Sequence, residues 1–120
     1  FVCYYHRTII DGLRAKNIEV PIIGLPKGAS AYLDHYINHV PCQAVALDTS
    51  VNPLLIRENF PVQGNLDPLS LIVGGASLER EVTEILDKFA GRPHIFNLSH
   101  GIKPETPIAH VERMIELVRS

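Results

Sequence analysis

The sequence predicts an α/β fold built on parallel strands, from three observations. Four short apolar runs, Val20–Leu25, Ala44–Leu47, Pro61–Gly64 and His94–Asn97, have the length of buried strands. Helical periodicity fills the stretches between them, and no two runs are joined by the tight Gly-rich turn of a β-hairpin. Alternating strands and helices without hairpins require parallel strands joined by right-handed crossovers, here as four consecutive βα units. Periodicity alone fits either part of a (β/α)8 barrel or a small doubly wound sheet. The barrel is favoured because polar residues cluster after every strand: Lys27, Asp48, Asn65 with Asp67, and Asn97 with His100. In a barrel those positions converge on one mouth. An intact barrel takes about 250 residues, so residues 1–120, read as one domain segment, are expected to supply half of one.

Taken in order, Val2 to Lys16 places Tyr5, Ile9 and Leu13 four residues apart, with Ile10 beside them, an apolar stripe on a helix that Asn17 ends. Val20–Leu25 follows as a strand buried on both faces, with Pro26-Lys27-Gly28 as its loop. Ser30 is placed to cap a helix running to His39, and Ala44–Leu47 is the second strand, ending at Asp48. Pro53 to Asn59 reads as a short helix, and Pro61–Gly64 as the third strand, running into Asn65-Leu66-Asp67-Pro68. Ser77 opens the strongest helix, in which Leu78, Val82, Ile85, Leu86 and Phe89 recur at helical spacing and Gly91 stands at the C-terminal cap. His94–Asn97 is the fourth strand. Thr106 as N-cap and Pro107 at the first helical position open a last helix with Ile108, Val111, Ile115 and Val118 as its buried stripe.

Composition narrows the function classes. A chain that is 46% hydrophobic and 20% charged can build a core, and its formal charge of −2 comes from interspersed acids and bases. Neither nucleic acid nor an anionic membrane surface is indicated as a partner. No apolar stretch approaches the roughly 20 residues that span a bilayer. Cys3 and Cys42 lie far apart, in no metal-type spacing, which suits free thiols in a reducing cytoplasm.

Among the polar groups, His100 is the leading candidate. A histidine just beyond a strand end is placed to exchange protons or to hydrogen-bond an anionic substrate near neutral pH. Gly101 would let the backbone turn sharply there, and Ser99 or Asn97 could orient the imidazole. The bland alternative is a histidine that only caps its loop. His35 and His39 share a helix face as a zinc pair must, without a third ligand beside them, so a solvated face is the simpler reading. Asp48 and Asp67 are placed to act as acids, bases or magnesium ligands, although Asp67-Pro68 also has the form of a helix start. Pro26-Lys27-Gly28 falls short of a P-loop, and no Gly-x-Ser-x-Gly or Gly-x-Gly-x-x-Gly follows any strand, which counts against hydrolase and dinucleotide-binding readings.

Two longer motifs occur in order: Gln63-Gly64-Asn65-Leu66-Asp67-Pro68, then Phe96-Asn97-Leu98-Ser99-His100-Gly101-Ile102 with Pro104, Thr106-Pro107 and His110-Val111. Together with Lys27-Gly28 and Ala46-Leu47-Asp48, they resemble the C-terminal region of the uroporphyrinogen decarboxylase family from about residue 18 onward. Where the family usually has Asn-Leu-Gly-His-Gly, this chain has Ser99 in place of the first glycine. The resemblance implies the C-terminal half of a (β/α)8 barrel. It also implies a cytoplasmic lyase of porphyrin and haem biosynthesis, homodimeric in the family. That enzyme removes the four acetate carboxyl groups of uroporphyrinogen III to give coproporphyrinogen III, with no metal or organic cofactor. Of the family's cleft residues only the histidine maps here, as His100, in a catalytic and substrate-binding role. The aspartate and arginine motifs belong to the family's N-terminal half, and Lys27, Arg57, Arg92 and Lys103 are too scattered to form the basic groove a polycarboxylate needs. The isolated segment is therefore expected to be inactive and prone to associate through open strand edges.

Two rivals stand beside this reading. A zinc-dependent corrinoid or cobalamin-independent methyltransferase barrel would need cysteines at C-terminal strand ends, where neither Cys3 nor Cys42 falls. A non-catalytic flavodoxin-like binding module would suit the chain length and would be monomeric and cooperative on unfolding.

Overall fold

The computed structural model describes residues 1–120. Helix α1 (Val2–Arg14) leads into strand β1 (Ile23–Gly24), followed by helix α2 (Leu33–His39), strand β2 (Ala44–Ala46) and strand β3 (Val62–Gln63). Helices α3 (Pro68–Val73) and α4 (Gly75–Lys88), strand β4 (His94–Ile95) and helix α5 (Ile108–Arg119) complete the chain. The four strands form one parallel sheet in the order β1-β2-β3-β4, paired Gly24 to Val45, Val45 to Val62 and Val62 to His94. The β3–β4 pairing is extended by a further bridge from Leu66 to Leu98.

Sequential order means that every right-handed crossover turns the same way, so the helices of the β1–β2 and β3–β4 crossovers lie on the same face of the sheet, while the β2–β3 connection carries only the 3-10 turn Pro53–Leu55. A doubly wound sheet reverses its strand order and covers both faces, so this topology does not suit the flavodoxin-like alternative. Burial agrees. On the helix-covered face Val45 and Val62 are fully buried, within a core that includes Tyr36, Leu47, Leu71, Leu78 and Val82. On the opposite face Leu25 is 43% exposed and Ile95 46% exposed, with Ala46 and Gln63 half-buried between them. Apolar residues on an open sheet face are what the inside of a barrel presents before its remaining strands close over it.

Several sequence expectations are corrected. The first strand is not buried on both faces: Val20, Ile23 and Leu25 are exposed, because helices cover one face only. On α1 the predicted stripe is only partly inward: its Ile10 is buried and Leu13 half-buried, but Tyr5 and Ile9 turn outward. Tyr5 and Ile9 are more than half exposed, while Ile10 is buried and Cys3 packs beside it. A hydrogen bond of 2.7 Å between His6 Nδ1 and the Tyr36 hydroxyl holds that rotation. Ser30 caps nothing; it begins a 3-10 turn, Ser30–Tyr32, ahead of α2. The helix expected over Pro53 to Asn59 is only a 3-10 turn, Pro53–Leu55, whose first N–H groups are met by the Asn52 side chain accepting from Leu54 N–H. Helix α4 begins at Gly75 rather than Ser77 and buries Leu78, Val82 and Ile85 as expected, and Gly91 (φ 77°) closes the turn beyond it. Helix α5 starts at Ile108 after Pro107, and the Thr106 hydroxyl is buried without a partner instead of capping. Its inward face carries Met114, Leu117 and Val118, whereas Ile108 is 77% and Ile115 41% exposed. His110, whose Nδ1 lies 2.6 Å from the Leu71 carbonyl, and Arg113, paired with Glu79, fix that rotation against α3 and α4.

Two rings pack at the helix-covered face, Tyr36 buried and His94 half-buried. Tyr36 packs against Gly24 of β1, where any Cβ would collide with its phenol. Burial, with the Cys42 and Cys3 thiols nearby, pushes the hydroxyl up to about 12, so it stays protonated. His94 of β4 stacks on Phe89 with ring centroids 4.0 Å apart, and its Nε2–H donates to the Gly64 carbonyl. Burial holds its pKa below the usual 6.5, with the Gly64 hydrogen bond opposing and the Arg92 charge adding to the effect. In the unfolded chain the imidazole titrates normally, so between the folded value and 6.5 only the unfolded state binds the proton. His94 therefore contributes stability that is complete above that window and is lost as pH falls through it. Melting temperatures measured at about pH 7.5 and about pH 5.5 should fall further for the wild type than for His94→Gln. Equal falls would remove His94 as the cause.

Candidate functional site

The site candidates lie where the chain leaves the C-terminal ends of its strands. Strand alternation puts every second side chain on one face, and two residues beyond Leu25, Ala46, Gln63 and Ile95 stand Lys27, Asp48, Asn65 and Asn97. A polar tier thus follows a row on the uncovered face that is apolar except for Gln63. Contacts tie part of it together. Asp48 is buried, and its Oδ2 accepts the Gly28 N–H at 2.6 Å, which the left-handed conformation of Gly28 (φ 72°) allows. Asn65 donates through Nδ2 to the carbonyls of Asp48 at 3.1 Å and Val51 at 3.2 Å. His100 Nε2 stands 3.4 Å from Asp48 Oδ1, and the imidazole side chain is 36% exposed. One network therefore joins the loops after β1, β2, β3 and β4.

Other predicted residues are placed differently. Neither Ser99 nor Asn97 touches the imidazole: the buried Ser99 hydroxyl is 2.6 Å from Thr49 Oγ1, and Asn97 Oδ1 accepts its neighbour Leu98 N–H. Gly101 adopts no left-handed turn, and a Cβ there would meet open space. Asp67 is the N-cap of α3, accepting from Leu69 N–H at 2.9 Å, which is the structural role its Asp-Pro context suggested. Lys27 is exposed and makes no ion pair. Arg92 is held by backbone, its terminal nitrogens donating to the carbonyls of Pro53, Ile56 and Arg57 at 3.0 Å each, while its Nε is buried without a partner. His35 and His39 stack with centroids 3.9 Å apart, and His39 Nδ1–H donates to the His35 carbonyl at 2.8 Å, so the pair is turned on itself on the surface of α2. Cys3 lies in α1 and Cys42 just ahead of β2, at the strand end opposite His100, and burial pushes the Cys42 thiol up from 9.0. A protonated thiol at that end is poorly suited to hold zinc for substrate activation. Sequence reasoning had weighed Asp48 only as an acid, base or magnesium ligand. Its part as partner to His100 spans 52 residues and carries no local signal.

A parallel sheet wound in one direction, covered by helices on one face and carrying its polar groups at the C-terminal strand ends, defines an α/β protein of the barrel-building kind. The sequence profile described as "Uroporphyrinogen decarboxylase (URO-D)" matches residues 1–120, and the chain belongs to that family. It is 53% identical over 118 residues to a uroporphyrinogen decarboxylase of Hyphomonas neptunium, covering 95% of this chain and 34% of that protein. It is 48% identical over 117 residues to one from Maricaulis maris, covering 94% of this chain and 34% of the relative. A uroporphyrinogen decarboxylase of Caulobacter vibrioides is 49% identical over 116 residues, which is 94% of this chain and 33% of the relative. The chain thus spans about a third of the length of these curated relatives. No helix is long and apolar enough to cross a membrane.

Proposed function

We propose that residues 1–120 form the C-terminal part of the (β/α)8 barrel of a uroporphyrinogen decarboxylase, four consecutive βα units with His100 on the wall of the cleft. The observation that carries this reading is the position of His100: beyond a C-terminal strand end, partly exposed, inside a network reaching all four strand-end loops. The reaction is decarboxylation of the four acetate side chains of uroporphyrinogen III, one after another, to the methyl groups of coproporphyrinogen III. Protonating a pyrrole ring carbon makes an electron sink. The bond between the acetate methylene and its carboxylate then breaks, its electron pair flows into the ring, and carbon dioxide leaves. The exocyclic methylene takes up a proton to become methyl, and the ring carbon returns the proton it had gained. Atoms and charge balance with no metal or organic cofactor. What the protein must supply is stabilisation of the cationic ring, carboxylate binding and a positioned proton carrier, and His100 suits the last two.

This segment contributes one wall only. Its cations do not gather into a carboxylate-binding groove, since Arg92 is bound to backbone carbonyls and Arg113 to Glu79 and Glu116. The groups that bind the remaining carboxylates and stabilise the ring cation belong to the rest of the barrel, and the family's homodimeric, cytoplasmic state applies to the complete protein. The isolated chain is therefore inactive. Incubating it with uroporphyrinogen under anaerobic conditions and resolving the porphyrins by chromatography should show no coproporphyrinogen above the uncatalysed background. Turnover by the isolated chain would contradict a shared cleft.

A further inference from the structure

Asp48 contacts more of the strand-end loops than any other side chain at the mouth. One carboxylate oxygen, Oδ2, is satisfied by the Gly28 N–H at 2.6 Å. The other, Oδ1, is buried with no hydrogen-bond partner and lies 3.4 Å from His100 Nε2. A buried acceptor left unpaired costs about 1–3 kcal/mol, more when it is charged, and the imidazole is the group placed to relieve it. At 3.4 Å the pair is in ionic contact but not aligned as a hydrogen bond, which a small ring rotation corrects. The preceding residue, Ser99, is buried, so the loop that carries His100 is packed where it approaches Asp48.

We propose that Asp48 is a positioning residue for His100: it holds the imidazole proton on Nε2 and so turns Nδ1, as a proton acceptor, toward the cleft. The inference rests on the reading of His100 as substrate-facing. A carboxylate can only accept, so the nitrogen facing Asp48 must be the protonated one, and in a neutral ring the other nitrogen then carries the lone pair. Nδ1 can thus accept a hydrogen bond from a pyrrole N–H. When the ring takes up a second proton, Asp48 faces the imidazolium and Nδ1–H becomes a donor suited to a substrate carboxylate. The two states differ by one proton and need no movement of the side chain.

The test is a long-range proton–nitrogen correlation spectrum of the 120-residue chain labelled with 15N-histidine, recorded where the ring is neutral, which distinguishes the two tautomers directly. The wild-type chain should show His100 with its proton on Nε2, a result that depends on no variant folding. Asp48→Asn keeps an oxygen for the Gly28 N–H and turns an amide donor toward His100, so it should move the proton to Nδ1. Thr49→Val, which breaks the contact to Ser99 without facing the ring, should leave the proton on Nε2. A wild-type proton on Nδ1, or a well-dispersed Asp48→Asn spectrum with the tautomer unchanged, would overturn the proposal. In the complete enzyme Asp48→Asn should lower kcat about 10–100-fold, the usual cost of losing an orienting partner, with KM little changed. A loss confined to KM would also contradict it. The reading of His100 is tested separately by its own substitution. Turnover surviving His100→Ala would remove that reading while leaving the tautomer result standing, and an unmoved tautomer with turnover lost would do the reverse.

Discussion

Gly74→Ala is expected to unfold the chain or lower its melting temperature by about 10 °C or more, because two costs fall on one atom. Gly74 holds φ 66° and ψ −158°, a conformation essentially confined to glycine, worth about 1–3 kcal/mol to any other residue. Its missing Cβ is also where the His110 ring sits, so an added methyl collides with the imidazole. That ring cannot retreat freely, since its Nδ1 is 2.6 Å from the Leu71 carbonyl and α5 is further held by the Arg113 pair with Glu79 at 2.8 Å. Overpacking of this kind costs about 1–3 kcal/mol more, against a total stability of about 5–15 kcal/mol for an ordinary domain. Gly75 is the internal control: its φ is 57°, but a Cβ there meets nothing. Gly75→Ala should therefore show the backbone cost alone. Equal melting temperatures for the two alanine variants would mean that the packing of His110 on Gly74 contributes nothing.

Replacing His100 is expected to have the largest effect on activity. In the complete enzyme His100→Ala should reduce kcat/KM for uroporphyrinogen by about 10²–10⁴-fold, the range associated with losing a positioned proton carrier. The substitution also strips Asp48 Oδ1 of its ionic partner, so a modest loss of stability should accompany the loss of rate. Thr49→Val disturbs the same loop without removing the imidazole and should retain most of the turnover. A His100→Ala enzyme with rates within about threefold of wild type would leave the histidine a loop residue only, well short of the range expected for general acid–base groups.

Elements whose residues report their own environment were legible from sequence. Ala44, Val45 and Leu47 of the second strand run and the Leu78, Val82, Ile85 and Phe89 stripe are buried as spacing predicts, since each packs on the core. The polar residues after each strand were legible for the same reason, since strand alternation alone assigns them to a face. Rotations were not. On α1 either Tyr5 with Ile9 or Cys3 with Ile10 makes an acceptable stripe, and what decides is the His6 contact with Tyr36, 30 residues away. On α5 the choice is made by His110 against α3. Helix α3 escaped notice because six residues are too few for periodicity to show, although Asp67-Pro68 marked its start. In the site, His100 was visible as a strand-end histidine, whereas its pairing with Asp48 and the Ser99 contact with Thr49 are tertiary facts with no local pattern.

The claim at the centre of this account is that the chain is one wall of a decarboxylase cleft, and the most direct measurement rebuilds the other wall. Residues 1–120 would be put in place of the 34% of the Hyphomonas neptunium relative that this chain matches, joined to the remainder of that protein. The product formed from uroporphyrinogen would then be followed by chromatography. The joined polypeptide should yield coproporphyrinogen, whereas a soluble, folded chimera that leaves uroporphyrinogen unconverted would contradict the account.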